Sequence, residues 1–146
     1  MRARVAYMRS VGMSVEQAAA VFARLPQLFG LDVNNNLAPK IRYLVHELGG
    51  SVTTLSNYPA YLSLSLTNRY VGCVCTRIYP PSVCYPPRII PRHRFLEAHQ
   101  KSVPRPFPMS YLKCSDEKFA QDVAGSSLQR FELFRHKLAS VAAVKG

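Results

Sequence analysis

The chain has 146 residues and a mass of 16.4 kDa, a length that predicts a single domain with one modest core. A hydrophobic fraction of 48% with 18% charged residues excludes a disordered tail, and no apolar run reaches the roughly 18 residues of a transmembrane helix. Lysine and arginine number 19 against 8 acidic residues, and this net charge of +11 points to an anionic partner, with nucleic acid the first candidate.

The first predicted element is a basic helical N-terminus. Its charge comes from three arginines: Arg2, Arg4 and Arg9. This segment is too short for a transit peptide, so we interpret the N-terminus as truncated or internal. Ser14-x-x-Gln17 has the spacing of a capping box, which predicts a helix from there to about Phe22, and Pro26 ends that helix.

A second amphipathic helix is predicted near the middle of the chain. Its apolar positions follow helical spacing at Leu37, Ile41, Leu44, Val45 and Leu48. Asn35 or Asn36 is suited to cap it, and Gly49-Gly50 to stop it. Residues 61–66 alternate like a strand after Pro59, but their place in the chain favours a short helix or turn.

The C-terminal part is also predicted to be helical. A helix over residues 91–99 is followed by an extended, proline-rich connector over residues 103–108, and Ser115-Asp116 caps a further turn. A final helical stripe comprises Leu128, Phe131, Phe134, Leu138 and Val141. The predicted fold class is therefore all-α.

The chain contains an internal repeat. Tyr7 and Tyr43 are 36 residues apart, and Phe95 takes the equivalent place further on. Gly12 and Gly49 are 37 residues apart and are predicted to end helices at matching points. This period is typical of helical-hairpin repeats, which stack into a solenoid. The aromatic residues are predicted to pack in the core.

One stretch interrupts this repeat. Pro26 and Pro39 are 13 residues apart whereas Pro59 and Pro91 are 32 apart, an excess of 19. Residues 70–88 account for that excess, and they contain three of the four cysteines, four prolines and no acidic residue. We interpret them as an irregular insertion, either genuine or translated from a retained intron.

Several short motifs, in this order, resemble the mitochondrial transcription termination factor (mTERF) family in its plant and algal organelle form. The matching stretches lie at residues 42–51, 58–66, 68–69 with 89–94, and 112–119. The resemblance implies a partial superhelix of repeats, each with two α-helices and a short 3₁₀ turn, plus the family's C-terminal region. It also implies a basic groove for nucleic acid and a role in organelle gene expression, in chloroplast or mitochondrion.

Repeat-equivalent cations suggest where nucleic acid would bind. Matching Pro39 to Pro91 pairs Lys40 with Arg92 and Arg42 with Arg94, and equivalent positions in a solenoid line up as a stripe. Such a stripe is suited to successive phosphates of double-stranded DNA or structured RNA. The full set of predicted contacts is Lys40, Arg42, Arg69, Arg92, Arg94, Lys101 and Arg105. The alternative is that these cations lie on solvated helix faces or interact with helix dipoles.

No cofactor, metal, membrane or small-molecule substrate is predicted, and the chain is expected to be a monomer without enzymatic activity. Cys73, Cys75 and Cys84 lack the usual spacing of zinc ligands even with His93 and His99 nearby. No nucleotide-binding or hydrolase motif is present in the sequence. The alternative function is a helical-repeat module that binds another protein.

Overall fold

The computed structural model describes residues 2–64, 66, 88–99 and 102–144. All regular elements within these ranges are helical, as predicted, and no strand occurs among them. The chain divides into two compact units, Met1–Leu64 and Ser65–Gly146. Within the described ranges, no helix combines the length and apolar character needed to cross a membrane.

The first half of unit 1 is a helical hairpin closed by a 3₁₀ turn. Helix α1 covers Arg2–Ser10, helix α2 covers Val15–Arg24, and a 3₁₀ helix covers Pro26–Gly30. The predicted capping box is confirmed, because the Ser14 hydroxyl accepts from the Gln17 backbone N–H and the Gln17 side chain accepts from the Ser14 N–H. Gly12 has a φ of 99° between the two helices, which confirms it as a helix terminator.

The second half of unit 1 repeats this order. A π-helical turn at Val33–Leu37 runs into α3 at Ala38–His46, followed by α4 at Val52–Asn57 and a 3₁₀ helix at Pro59–Ser63. The 3₁₀ helix confirms that residues 61–63 form a turn and not a strand. Gly49, at a φ of 65°, follows α3 as predicted.

The predicted cap before α3 is wrong in its residue. Asp32 is the N-cap, and its side chain accepts a hydrogen bond of 2.7 Å from the backbone N–H of Asn35. The π-helical turn adds residues ahead of α3, so the start of the helical segment lies earlier than the apolar spacing indicated. Asn35 and Asn36 are therefore inside the helical segment and do not cap it.

The core of unit 1 comes from the inward faces of these helices. Its fully buried side chains include the following: Met8, Val21, Leu28, Leu37, Leu44, Leu48, Leu55, Tyr61 and Leu62. Both 3₁₀ turns contribute to it, through Leu28 after Pro26 and through Tyr61 and Leu62 after Pro59. Each proline therefore begins a turn that returns apolar side chains to the core.

The described part of unit 2 contains three short or medium α-helices followed by a long one. Their bounds are α5 at Ile89–His99, α6 at Ser110–Lys113, α7 at Asp116–Lys118 continuing as a π-helical turn at Phe119–Val123, and α8 at Leu128–Val144. The Ser115 hydroxyl accepts from the Lys118 N–H, which confirms the predicted cap. Residues 102–108 are irregular, as expected for the proline-rich connector.

Aromatic rings form the centre of unit 2. The ring of Phe95 lies 5.1 Å from Phe131, 5.3 Å from Phe134 and 6.4 Å from Phe119, measured between ring centroids. This confirms that the repeat aromatic at Phe95 packs in the core, whereas Tyr7 and Tyr43 are half-buried.

The predicted stripe of α8 is only partly correct. Phe131 is buried and Phe134 and Leu138 are half-buried, but Val141 is 57% exposed. The predicted insertion over residues 70–88 lies, except for Arg88, outside the described residues, so it and the single-domain organisation stay predictions.

Candidate nucleic-acid interface

The structure divides the predicted phosphate-binding residues into three groups. Lys40 and Arg92 are buried, and Arg42, Arg94 and Arg105 are exposed. The remaining two, Arg69 and Lys101, lie outside the described residues. The stripe of cations inferred from the repeat therefore contains two physically different kinds of side chain.

Lys40 is part of the core of unit 1. Its side chain is on α3 with a relative exposure of 5%, and its ammonium donates a hydrogen bond of 2.6 Å to the carbonyl oxygen of Leu62. The Tyr61 hydroxyl in turn donates to the carbonyl oxygen of Lys40 at 2.9 Å. Burial keeps the Lys40 ammonium from an external phosphate, so the prediction of Lys40 as a nucleic-acid contact is corrected to a role in folding.

Arg92 is also bonded inside the protein, in unit 2. It is fully buried on α5 and donates to the carbonyl oxygen of Tyr111 at 2.6 Å and to Asp116 Oδ1 at 2.6 Å. Its guanidinium also lies 5.0 Å from the centre of the Phe119 ring, a cation–π contact. These contacts use the guanidinium inside the protein, so the prediction that Arg92 binds phosphate is likewise corrected.

The carboxylate of Asp116 balances this buried charge. Its second oxygen accepts a hydrogen bond of 3.0 Å from Arg135. Burial by itself would raise the pKa of Asp116, but hydrogen bonds and charge from Arg92 and Arg135 outweigh burial and hold the pKa below its ordinary value. Asp116 is therefore ionised at neutral pH and anchors two arginines.

The two buried cations make similar contacts, each with a backbone carbonyl three residues after a proline. Lys40 bonds to the carbonyl of the third residue after Pro59, and Arg92 bonds to the carbonyl of the third residue after Pro108. Three residues before Tyr7, Arg4 occupies the equivalent position in α1, and its Nε donates to the carbonyl oxygen of Leu31 at 2.8 Å. The Arg4 acceptor lies two residues further beyond its proline, at the fifth position after Pro26. We call Arg4, Lys40 and Arg92 the clamp cations.

The contacts of the clamp cations explain why a cation recurs at equivalent positions of the sequence repeat. Arg4 and Lys40 each bond a first helix of unit 1 to a carbonyl within or just after the following 3₁₀ turn, and Arg92 bonds α5 to a carbonyl of α6. The recurring charge therefore satisfies backbone oxygen atoms inside the fold. Each clamp cation lies three residues before the repeat aromatic, so the sequence was sufficient to find these positions. Their role could not be inferred, because the acceptor carbonyls are identified only in the structure.

The exposed cations stand two residues further along the repeat. Arg42 lies on the outer face of α3, and Arg94 lies at the matching step of α5 with a side-chain exposure of 45%. Arg94 donates to Glu97 Oε2 at 2.7 Å, across one helical turn. Arg105 is exposed in the connector. These three side chains are placed so that solvent, or a phosphate, reaches them.

Among the exposed cations that were not predicted as contacts, two lie close together on α1. Arg2 and Arg9 lie seven residues apart on α1 and line a shallow depression with Val5 and Ala6. Seven residues is close to two helical turns, so both guanidinium groups share one face. Their spacing was visible in the sequence, but the repeat alignment did not select them, because the positions equivalent to Arg2 and Arg9 are Ala38 and Val45.

The question of a metal site is untouched by the structure. Cys73, Cys75 and Cys84 lie outside the described residues, while Cys114 is half-buried and contacts Arg92. In the part of the chain that the structure describes, histidine, cysteine and carboxylate side chains do not gather into a group that could hold a metal.

Fold and side-chain placement together define a class: an all-α helical-repeat protein whose hairpins are capped by serine, closed by proline turns and tied by buried cations. The sequence model of the mTERF family matches residues 1–77, more than half of the chain. The protein therefore belongs to the mTERF family, as the sequence motifs indicated.

A named relative is similar over most of the chain. The protein called transcription termination factor MTERF9, chloroplastic, from Arabidopsis thaliana is 38% identical over 135 residues, which are 92% of this chain and 23% of that protein. The chain thus spans about a quarter of the length of that relative. No solved structure matches the chain.

Proposed function

We propose that this chain is a nucleic-acid-binding part of an organelle regulator of gene expression, and that it acts by binding without chemistry of its own. Membership of the mTERF family supports a role in organelle gene expression in general, and the name of the Arabidopsis relative favours transcription in the chloroplast over transcription in the mitochondrion. The proposed partner is double-stranded DNA or structured RNA, which share the phosphodiester backbone that arginine recognises.

The observation that carries the proposal is the exposure of Arg42 and Arg94 at one step of the repeat. The clamp cations two residues earlier are bonded inside the fold, whereas Arg42 and Arg94 are exposed at the surface of their helices. Arg105 and the cations that lie outside the described residues, Arg69 and Lys101, complete the proposed contact set. The net charge of +11 supplies long-range attraction for any polyanion.

A direct binding experiment tests the proposal. The whole chain is titrated against a random-sequence DNA duplex and against a structured RNA of equal charge, at two salt concentrations. A triple variant, Arg42→Ala, Arg94→Ala and Arg105→Ala, is compared with a control that removes the same charge elsewhere: Lys118→Ala, Arg130→Ala and Lys137→Ala, three exposed cations of unit 2.

Each outcome has a defined meaning. Salt-dependent binding that the triple variant loses and the control largely keeps supports the proposed contacts, and the stronger of the two ligands identifies the process. Equal losses in both variants would show diffuse attraction by net charge and overturn the site. A folded chain that binds neither ligand at low salt would overturn nucleic-acid binding altogether.

One observation favours the second candidate, a surface for another protein. Leu133 and Val141 are 61% and 57% exposed on α8, and Arg130 and Lys137 lie on the same side of the helix. Exposed aliphatic side chains contribute nothing to phosphate binding, whereas a protein partner buries them. A folded chain without nucleic-acid affinity would favour this candidate.

A further inference from the structure

The carboxylate of Glu97 lies between two basic side chains on α5. Its Oε2 accepts a hydrogen bond of 2.7 Å from Arg94, and its Oε1 lies 3.8 Å from Nε2 of the buried His93. The side chain of Glu97 is 34% exposed and that of Arg94 is 45% exposed. A surface carboxylate is therefore held on the guanidinium that the proposed function assigns to phosphate.

The repeat offers a comparison within the same molecule. Arg42 occupies in α3 the step that Arg94 occupies in α5, counting from Pro39 and Pro91. Three residues after Arg42, in the place of Glu97, stands Val45, which is 40% exposed. Residues three apart on a helix are neighbours on its surface, so Arg94 has an adjacent carboxylate where Arg42 has an adjacent aliphatic side chain.

A carboxylate and a phosphate compete for the same guanidinium. Both accept hydrogen bonds from the planar fork of arginine, often in pairs. A phosphate that approaches Arg94 must displace Glu97 Oε2 or share the guanidinium with it, and it meets the repulsion of a like charge.

We propose that Glu97 is an internal competitor that weakens phosphodiester binding at Arg94, so that the two repeat-equivalent arginines contribute unequally to affinity. This inference rests on the proposed nucleic-acid function. It assigns to Glu97 the regulation of a single contact. A phosphate that binds Arg94 must compete with the carboxylate of Glu97, whereas a phosphate that binds Arg42 meets no such competitor at the equivalent position.

The test combines removal of the competitor with its installation in the other repeat. Glu97→Gln, in the whole chain, should tighten binding to the random DNA duplex about two- to fivefold, the range expected from an exposed ion pair. Val45→Glu should weaken binding by about the same factor, because it places a carboxylate beside Arg42. Glu132→Gln, which removes an exposed carboxylate on α8, is the matched control for net charge.

Double variants assign each effect to its arginine. The gain from Glu97→Gln should vanish in an Arg94→Ala background and persist in an Arg42→Ala background, and the loss from Val45→Glu should vanish with Arg42→Ala. Circular dichroism at the binding temperature verifies that each variant is helical.

Two kinds of failure are distinguishable. If the wild-type chain binds but Glu97→Gln gains no more than Glu132→Gln, or keeps its gain without Arg94, then Glu97 is not a competitor and the inference is overturned. If the wild-type chain binds neither DNA nor RNA, the proposed function fails first, and the inference fails with it.

Discussion

The hydroxyl of Tyr61 donates to the carbonyl oxygen of Lys40 while the ammonium of Lys40 donates to the carbonyl oxygen of the residue after Tyr61. Two hydrogen bonds, of 2.9 and 2.6 Å, thus join α3 to the 3₁₀ turn that ends the second repeat of unit 1. Lys40 and Tyr61 are both buried, so neither bond is replaced by water if it is lost.

Replacing Lys40 by methionine should destabilise the protein by about 1–3 kcal/mol, the cost of leaving a buried acceptor without its donor. Methionine keeps much of the apolar stem, so the loss reports mainly on the hydrogen bond. Arg42→Met, two residues away and exposed, should change the free energy of unfolding by less than about 0.5 kcal/mol. Urea unfolding followed by circular dichroism measures both, and equal effects would contradict the assignment of Lys40 to the fold.

Removing the Tyr61 hydroxyl should alter the response of the protein to alkali. Burial, followed by the charge of Tyr43, raises the pKa of Tyr61 above its ordinary value of 10.0. A pKa raised by folding means that the stabilisation is complete below the ordinary value and is lost as pH rises beyond it. Tyr61→Phe should therefore be less stable near pH 7 by about 1 kcal/mol and show a smaller decline above pH 10.

Thermal unfolding between pH 7 and pH 11, with Tyr7→Phe as the half-buried control, checks this expectation. An alkaline decline that is unchanged by Tyr61→Phe would assign the titration to another group. The tyrosine absorbance of the wild-type chain gives a second readout, because a buried phenol ionises only as the structure opens.

Asp116 should confer acid sensitivity on unit 2. Its pKa lies below the ordinary value of 3.8, so its contribution is complete above that value and is lost as pH falls through the lower pKa of the folded state. Asp116→Asn should cost about 3 kcal/mol at neutral pH, because it leaves the buried Arg92 guanidinium without its carboxylate. Asp122→Asn, at an exposed position, is the control and should be nearly neutral.

The measurement is the free energy of unfolding as a function of pH from 2 to 7. The wild-type chain should lose stability below pH 3.8, and Asp116→Asn should remove much of that slope. Similar slopes in both proteins would show that other carboxylates dominate acid unfolding.

Local features of the fold were predictable from the sequence, because their causes lie within a few residues. The Ser14 capping box, the turns begun by Pro26 and Pro59, and the helix end at Gly49 all depend on neighbouring backbone groups. The prediction of Asn35 or Asn36 as the cap was wrong because a π-helical turn extends the helical segment back to Asp32. The spacing of apolar residues does not reveal such a turn.

The candidate site was predictable only in part. Repeat alignment found the positions of Lys40 and Arg92 but assigned them to phosphate, because the acceptors that bury them lie 22 and 19 residues away in sequence. A cation at repeat-equivalent positions has two physical explanations: it binds an external polyanion, or it donates a hydrogen bond to a carbonyl inside the fold. Composition supports both explanations equally, and only the position of the hydrogen-bond acceptor distinguishes one from the other.

The last prediction concerns the salt dependence of nucleic-acid binding. Each phosphate contact contributes about 0.9 to the slope of log K against log salt for duplex DNA, so Arg42→Ala should weaken binding and lower that slope by about 0.9. Lys40→Met should leave the slope unchanged in the folded protein, since the Lys40 ammonium is bonded inside unit 1. Fluorescence anisotropy at four salt concentrations, on a labelled duplex, measures both slopes. A lower slope for Lys40→Met and an unchanged one for Arg42→Ala would reverse the assignments and return Lys40 to the binding surface.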